Sequence, residues 1–168
     1  NQAKSLIRNN KLPEAKEICL NIKDSSKENN EVLNLLGIIE LNSKNYETSL
    51  KYFEEAININ SSDPKIYNNL GILNFKIGKI DKAINFFKKA VEVDKNLIDS
   101  YQNLARIKLE QNNYQEAEIY FKKVLEIDDT NLEALISLSD ILLSQKKNSE
   151  NIKILSKLIK LKPDQFEA

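Results

Sequence analysis

Apolar residues recur along most of this chain at intervals of three and four, the period of an amphipathic α-helix. The stretch 64–96 shows the pattern twice. Asp63 and Pro64 predict a helix start, since the carboxylate caps free N–H groups and proline lacks the N–H that a first turn leaves unpaired. Gly78 predicts its end, because glycine adopts the left-handed conformation without a side-chain clash. The apolar positions are Ile66, Tyr67, Leu70, Leu73 and Ile77, then Ile80, Ala83, Ile84, Phe87, Ala90 and Val91.

Residues of one type also recur at spacings of 34 positions, or of twice 34 between Ala15 and Ala83. A single hairpin of two amphipathic helices cannot bury its apolar surface alone, so stacked copies are expected. The spacing therefore predicts that the whole chain is built from copies of one helical hairpin. The recurring residues are Leu36, Leu70, Leu104 and Leu138; Phe53, Phe87 and Phe121; Ala15, Ala83 and Ala117; Gly37 and Gly71; and Ala56 and Ala90.

These copies resemble the tetratricopeptide repeat (TPR) family. In that pattern a large aromatic residue is followed by Leu-Gly three and four places later, then by Ala-x3-Phe in the second helix and often by a proline. The resemblance implies an all-α fold, a right-handed α-solenoid (TPR superhelix) of stacked antiparallel helix pairs. The matching residues are Leu33, Leu36-Gly37, Ser49 and Phe53; Tyr67, Leu70-Gly71, Ala83 and Phe87; Tyr101, Leu104-Ala105, Ala117 and Phe121; and Leu135, Leu138-Ser139, Asn151, Leu155 and Pro163.

The 34-residue frame divides the chain into one predicted TPR array over 1–168. Its parts are a partial repeat at 1–29, repeats at 30–63, 64–97, 98–131 and 132–165, and the start of a further repeat at 166–168. Helices are expected at 1–8, 12–23, 31–43 and 46–59 in the first two copies. Since the first residue is not Met and falls inside a repeat, we expect a fragment of a longer protein.

The last predicted helix keeps many apolar residues where a terminal repeat normally has a polar outer face. We expect the next repeat or a second copy of the chain to cover it. If a second copy covers it, the chain self-associates through its uncapped terminal helices. The residues are Ile152, Ile154, Leu155, Leu158, Ile159 and Leu161.

Charge and cysteine content narrow the function classes. Lys and Arg total 25 and Asp and Glu total 25, which argues against a general binder of nucleic acid or anionic membranes. No apolar run approaches the roughly 20 residues that span a bilayer, and no signal-peptide pattern is present. Cys19 is the only cysteine, at the position of Phe53, so it is interpreted as a packed hydrophobe. A cytoplasmic location is expected.

No catalytic constellation was found in the sequence. It contains no His, the commonest general base, and its three Gly are explained by helix packing or turns rather than by a phosphate loop. The acidic neighbours Glu54-Glu55 and Asp128-Asp129 are interpreted as solvated helix faces. We expect no catalytic residue, metal site or cofactor in this chain.

The resemblance implies instead that the first helix of each repeat lines a concave peptide-binding groove. The family's contact positions, transferred to this sequence, combine amides that can pair with a peptide main chain and apolar isoleucines. They are basic in the N-terminal half and acidic in the C-terminal half, which would orient a ligand with separated charges. The candidates are Lys4, Arg8, Asn34, Ile38, Asn42, Lys65, Asn68, Asn69, Ile72, Lys76, Gln102, Asn103, Arg106, Glu110 and Asp140.

Two TPR subfamilies have characteristic residues at these positions. The clamp for a C-terminal carboxylate uses Lys at position five and Asn at position nine, where this chain has Asn34 and Ile38, so it is not supported. The asparagine ladder of arrays attached to O-glycosyltransferases is matched by Asn69 and Asn103 but interrupted elsewhere in the chain.

Three functions remain open from the sequence. The first is a scaffold that binds a peptide or protein segment. The second is a substrate-presenting region of an enzyme such as a glycosyltransferase or sulfotransferase. The third is an oligomerisation module. The sequence favours the first, because solenoids bind through their concave surfaces.

Overall fold

The computed structural model describes residues 2–25 and 29–161, with only the backbone at Asp24 and Ser25. Those residues form helices and turns and contain no strand. The all-α prediction is therefore confirmed, and the expected bounds of the early helices hold to within about two residues. The predicted start of a further repeat at 166–168 lies outside the described residues. The helices are α1 (Gln2–Arg8), α2 (Leu12–Ser25), α3 (Asn30–Asn42), α4 (Tyr46–Ile59), α5 (Pro64–Lys76), α6 (Ile80–Val93), α7 (Ile98–Glu110), α8 (Tyr114–Ile127), α9 (Leu132–Ser144) and α10 (Asn148–Leu161).

Short polar residues start several first helices. The side chain of Asp63 accepts a hydrogen bond from the backbone N–H of Lys65 at 2.9 Å, and Pro64 occupies the first turn, as predicted. Asn29 and Asn131 cap α3 and α9 in the same way, through the N–H groups three residues later.

One turn recurs between the two helices of each hairpin. Its central residue is left-handed, with φ between 56° and 76°. Gly78 in this conformation confirms the predicted helix end, and Asn112 has the same conformation in the next hairpin. The same conformation at two lysines was not predicted. The residues are Asn10, Lys44, Gly78, Asn112 and Lys146.

In three of the hairpins a phenylalanine of the second helix packs into the first helix, whereas Leu155 at the equivalent place in the last hairpin is exposed. Phe53, Phe87 and Phe121 are fully buried, and Cys19 is buried at the equivalent place, as expected. The backbone of Gly71 lies directly against the Phe87 ring, so its missing side chain permits close helix packing.

The hairpins belong to two compact units, Asn1–Lys95 with α1 to α6 and Asn96–Ala168 with α7 to α10. In the first unit, α2 packs on α3 and α4 on α5, and the first helices α1, α3 and α5 contact one another in turn. In the second unit, α8 packs on α9. Contacts within each unit thus join consecutive hairpins, as in a stacked repeat array.

The last described helix is only partly packed. Leu158 of α10 is buried and Ile154 packs against the core, whereas four of the six predicted apolar residues are exposed. Side chains on the adjacent α9 are exposed as well. The exposed residues are Ile152, Leu155, Ile159 and Leu161 on α10, and Ile136 and Leu143 on α9.

Candidate binding surfaces

The first-helix face of unit 1 carries an amide pair that joins two hairpins. The Asn69 side chain on α5 donates a hydrogen bond through Nδ2 to Oδ1 of Asn34 on α3, at 2.8 Å. Asn34 is buried and Asn69 is half-buried, so their positions are set by packing. An asparagine amide has two N–H groups and a carbonyl, so this bond leaves further hydrogen-bonding capacity on Asn69. The arrangement can hold a ligand's main chain.

Apolar and charged candidates surround this pair. Ile38 and Ile72 are half-buried and pack against the core that contains Leu70. Each therefore presents a fixed, partly exposed apolar surface on the same helices as the amides. Of the other unit 1 candidates, Asn68 is buried, whereas Arg8, Asn42, Lys65 and Lys76 are exposed.

Two predicted contact cations form ion pairs between hairpins. Lys4 on α1 binds Glu31 on α3 at 2.5 Å, and Arg106 on α7 donates from two nitrogens to Glu133 on α9, each at 2.6 Å. Both pairs span 27 residues along the chain. The bond from Lys4 lowers the pKa of Glu31, and the bond to Glu133 raises the pKa of Arg106. Both cations thus cross-link consecutive repeats.

In unit 2, Gln102 joins the cross-link between Arg106 and Glu133. Its Nε2 donates to Oε2 of Glu133 at 2.9 Å and to Oδ1 of Asn131, the cap of α9, at 3.3 Å. The structure therefore brings together Gln102 and Arg106 from the predicted set. Of the remaining candidates, Asn103 is half-buried, and Glu110 and Asp140 are exposed.

Two buried carboxylates were not predicted from the sequence. Glu40 on α3 binds Lys16 at 2.7 Å and accepts from Asn45 at 2.8 Å. Glu118 on α8 accepts from Lys122 at 2.6 Å and from Lys147 at 2.8 Å.

Both buried carboxylates stay ionised. Burial raises the pKa of Glu40 and of Glu118, but the hydrogen bonds outweigh burial, so both pKa values lie below the ordinary value. Their partners come from neighbouring segments, so both carboxylates link parts of the fold as charged hydrogen-bond acceptors. The sequence signal would have been a lysine placed to reach each carboxylate: Lys16 on the preceding helix for Glu40, and Lys122 one turn further along α8 for Glu118.

The described residues hold neither a metal-binding cluster nor a membrane-spanning helix. They contain no group of three or more His, Cys, Asp or Glu side chains placed to hold a metal ion. No helix in the described part of the chain is both long enough and apolar enough to cross a membrane. The described surfaces are those of an α-helical repeat protein, with cross-linked hairpins and partly exposed amides and isoleucines on the first helices.

Comparison with known families identifies the class. The tetratricopeptide repeat family matches residues 28–96 and 66–130, and a second tetratricopeptide repeat model matches residues 108–168. The chain therefore belongs to the tetratricopeptide repeat family. No curated protein matches it.

Solved structures share the fold at low sequence identity. MamA superimposes with a TM-score of 0.77 at 15% identity, over 100% of this chain and 98% of that one. PilF of Pseudomonas aeruginosa gives 0.84 at 12% identity, over 95% and 73%. YrrB, a TPR protein with an unusual peptide-binding site, gives 0.66 at 18% identity, over 96% and 84%. These likenesses support the tetratricopeptide fold.

Proposed function

We propose that this protein is a non-enzymatic scaffold that binds a peptide or protein segment through the first-helix faces of its repeats. The observation that carries the proposal is the Asn69–Asn34 hydrogen bond between α5 and α3. Packing fixes these amides, so binding costs little side-chain entropy. A cytoplasmic location remains a prediction from the cysteine content.

An extended segment is the ligand that this face fits best. Amides pair with a peptide main chain whatever its side chains, and Ile38 and Ile72 offer apolar contact beside them. Exposed Lys65 and Lys76 favour an acidic segment on unit 1, because opposite charges speed association and exclude like-charged competitors.

A peptide selection tests the proposal directly. Peptides selected from a random displayed library on the wild-type protein are measured by fluorescence anisotropy against Asn69→Ala. We expect roughly five- to tenfold weaker binding, since a hydrogen bond contributes about 1 kcal/mol and about 1.4 kcal/mol corresponds to a factor of ten.

Asn58→Ala is the matched control, because Asn58 is an exposed asparagine on the second helix α4. It is expected to leave the affinity unchanged. Equal affinities for wild type, Asn69→Ala and Asn58→Ala would refute the assignment of this face. Circular dichroism confirms that each variant is folded.

A second candidate function, self-association, is favoured by the exposed apolar face of α10. Ile152 there is 63% exposed and Ile159 is 48% exposed. Exposed apolar patches are typical of association sites. We expect light scattering to detect oligomers that the double variant Ile152→Lys, Ile159→Lys removes. A strict monomer at high concentration would exclude this function.

A further inference from the structure

A second surface of unit 1 lies between the second helices α4 and α6. It is a cavity of about 570 Å³, and none of the candidate peptide-binding residues lines it. Its floor is apolar: Leu73 is buried, and Leu50 and Phe86 are half-buried side chains that pack against the same core. The volume falls in the range of roughly 300–1,000 Å³ that binding pockets have.

The two edges of this cavity carry opposite charges. Glu47 and Glu54 line it from α4, and Lys82 and Lys89 line it from α6. All four side chains are exposed. Each pair is separated by seven residues, which is two helical turns, or about 10 Å along the axis. The cavity is therefore a groove with an acidic rim on one side and a basic rim on the other.

The two rims do not neutralise each other. Among the described residues, no ion pair joins them; Glu47 pairs instead with Lys51 on its own helix, and the Lys89 ammonium lies 4.5 Å from the centre of the Tyr67 ring. The Glu47–Lys51 pair is exposed, and exposed ion pairs contribute little free energy. Both rims therefore keep charges with which a partner can pair.

We propose that this groove binds an amphipathic α-helix of a partner protein, with basic residues along one flank and acidic residues along the other. The basic flank faces Glu47 and Glu54, and the acidic flank faces Lys82 and Lys89. Apolar residues at i, i+4 and i+7 lie on the floor, as in other helix-in-groove complexes. The seven-residue spacing of the rims matches the spacing at which charges recur beside such an apolar stripe.

A helix fits this groove better than an extended peptide does. An extended peptide needs polar groups for its main chain, whereas a helix satisfies its own backbone. Asn74, a buried amide at the groove, already donates to the Leu70 carbonyl at 2.8 Å. The floor therefore offers mainly apolar contact, with charge selection at the rims.

The test uses three synthetic helical peptides of about three heptads, each with the same leucine stripe. One has a lysine flank and a glutamate flank, one has only lysine flanks, and one has only glutamate flanks. Fluorescence anisotropy with the wild-type protein is expected to show the mixed peptide binding at least about tenfold tighter than either uniform peptide. Equal binding of all three, or no measurable binding, overturns the proposal.

A charge-reversal variant locates the site. Lys82→Glu with Lys89→Glu leaves Lys79, just before α6, as the one lysine among the described residues lining the groove and makes the α6 rim mainly acidic, so the all-lysine peptide is expected to become the tightest ligand. The matched control, Lys88→Glu with Lys95→Glu, changes the net charge equally at exposed residues outside the groove. It should keep the wild-type order; the same reversal of preference in the control overturns the proposal.

Two further outcomes separate this groove from the other surfaces. Asn69→Ala is expected to leave the affinity for the mixed peptide unchanged. If this variant binds the mixed peptide more weakly, the peptide lies on the first-helix face, and the proposal is overturned. If light scattering shows oligomers of the wild-type protein that only the groove variant abolishes, the occupant is a second copy, which also overturns it.

Discussion

At the residue scale, the three hairpin crossings that contain a phenylalanine each depend on one small residue facing the aromatic ring. A Cβ atom added to Gly71 would lie 2.5 Å from Cε1 of Phe87, well inside contact distance. The next repeat has Ala105 at the equivalent place, where it shares a fully buried cluster with Phe121. The phenylalanine can therefore adjust to one methyl group, and larger side chains must displace it.

Gly71→Val is expected to lower the free energy of unfolding by about 1–3 kcal/mol, because it overfills a closely packed crossing. Gly71→Ala should cost less, given Ala105 in the fourth repeat. Urea denaturation followed by circular dichroism measures both. A valine variant as stable as the alanine variant would show that the ring moves freely.

At the scale of elements, a buried carboxylate links α8 to the start of α10. Glu118 accepts from Lys122 on its own helix and from Lys147, which directly precedes α10. Lys122 also donates to Glu150 on α10 at 3.3 Å. These ion pairs connect α10 to α8. They do so although much of the apolar face of α10 is exposed.

The Glu118 link predicts a pH-dependent contribution to stability. Its pKa is lowered in the folded state, so its stabilisation is fully present above the unfolded value of about 4.3 and is lost as the pH falls through the folded value. Glu118→Gln is expected to cost roughly 1–2 kcal/mol at pH 7 and much less near pH 3.

The control for this prediction is Glu126→Gln on the same helix, which loses an exposed pair with Lys123. Thermal unfolding is compared at both pH values. A Glu118→Gln effect of the same size at pH 3 and pH 7 would mean that the charge contributes nothing and that packing explains the loss.

At the scale of the whole molecule, stability is divided among neighbouring hairpins. Helices within each unit contact the helices next to them in sequence or the equivalent helix of the adjacent hairpin. In such arrays stability is approximately a sum of repeat and interface contributions. A core mutation should therefore weaken its own unit most.

Leu70→Ala in α5 and Leu138→Ala in α9 form a matched pair for this prediction. The two leucines hold the same repeat position and are equally buried, one in each unit. Each substitution is expected to cost about 2–5 kcal/mol. Hydrogen exchange should show lost protection mainly in α3 to α6 for the first and mainly in α7 to α10 for the second. Uniform loss along the chain would indicate a single cooperative unit.

Much of the fold could be predicted because the signals are local. The helical period, the Asp63 cap and the Gly78 turn each depend on residues within a few positions of one another. The burial of Cys19 followed from its place in the 34-residue frame. The candidate peptide-binding residues, by contrast, came from the family resemblance, and their role in binding stays a prediction.

Short-range apolar patterning and turn residues specify the hairpins, their period and the phenylalanines that fill three of the crossings, so these features could be predicted from the sequence. Packing of the hairpins against one another sets which charges meet, such as Lys4 with Glu31, and where α4 and α6 leave an apolar groove between them. It also placed Lys44 and Lys146 in the left-handed conformation, where the packing of the repeat outweighs the preference of lysine. Such features depend on how side chains from different hairpins are brought together, which local patterns do not contain.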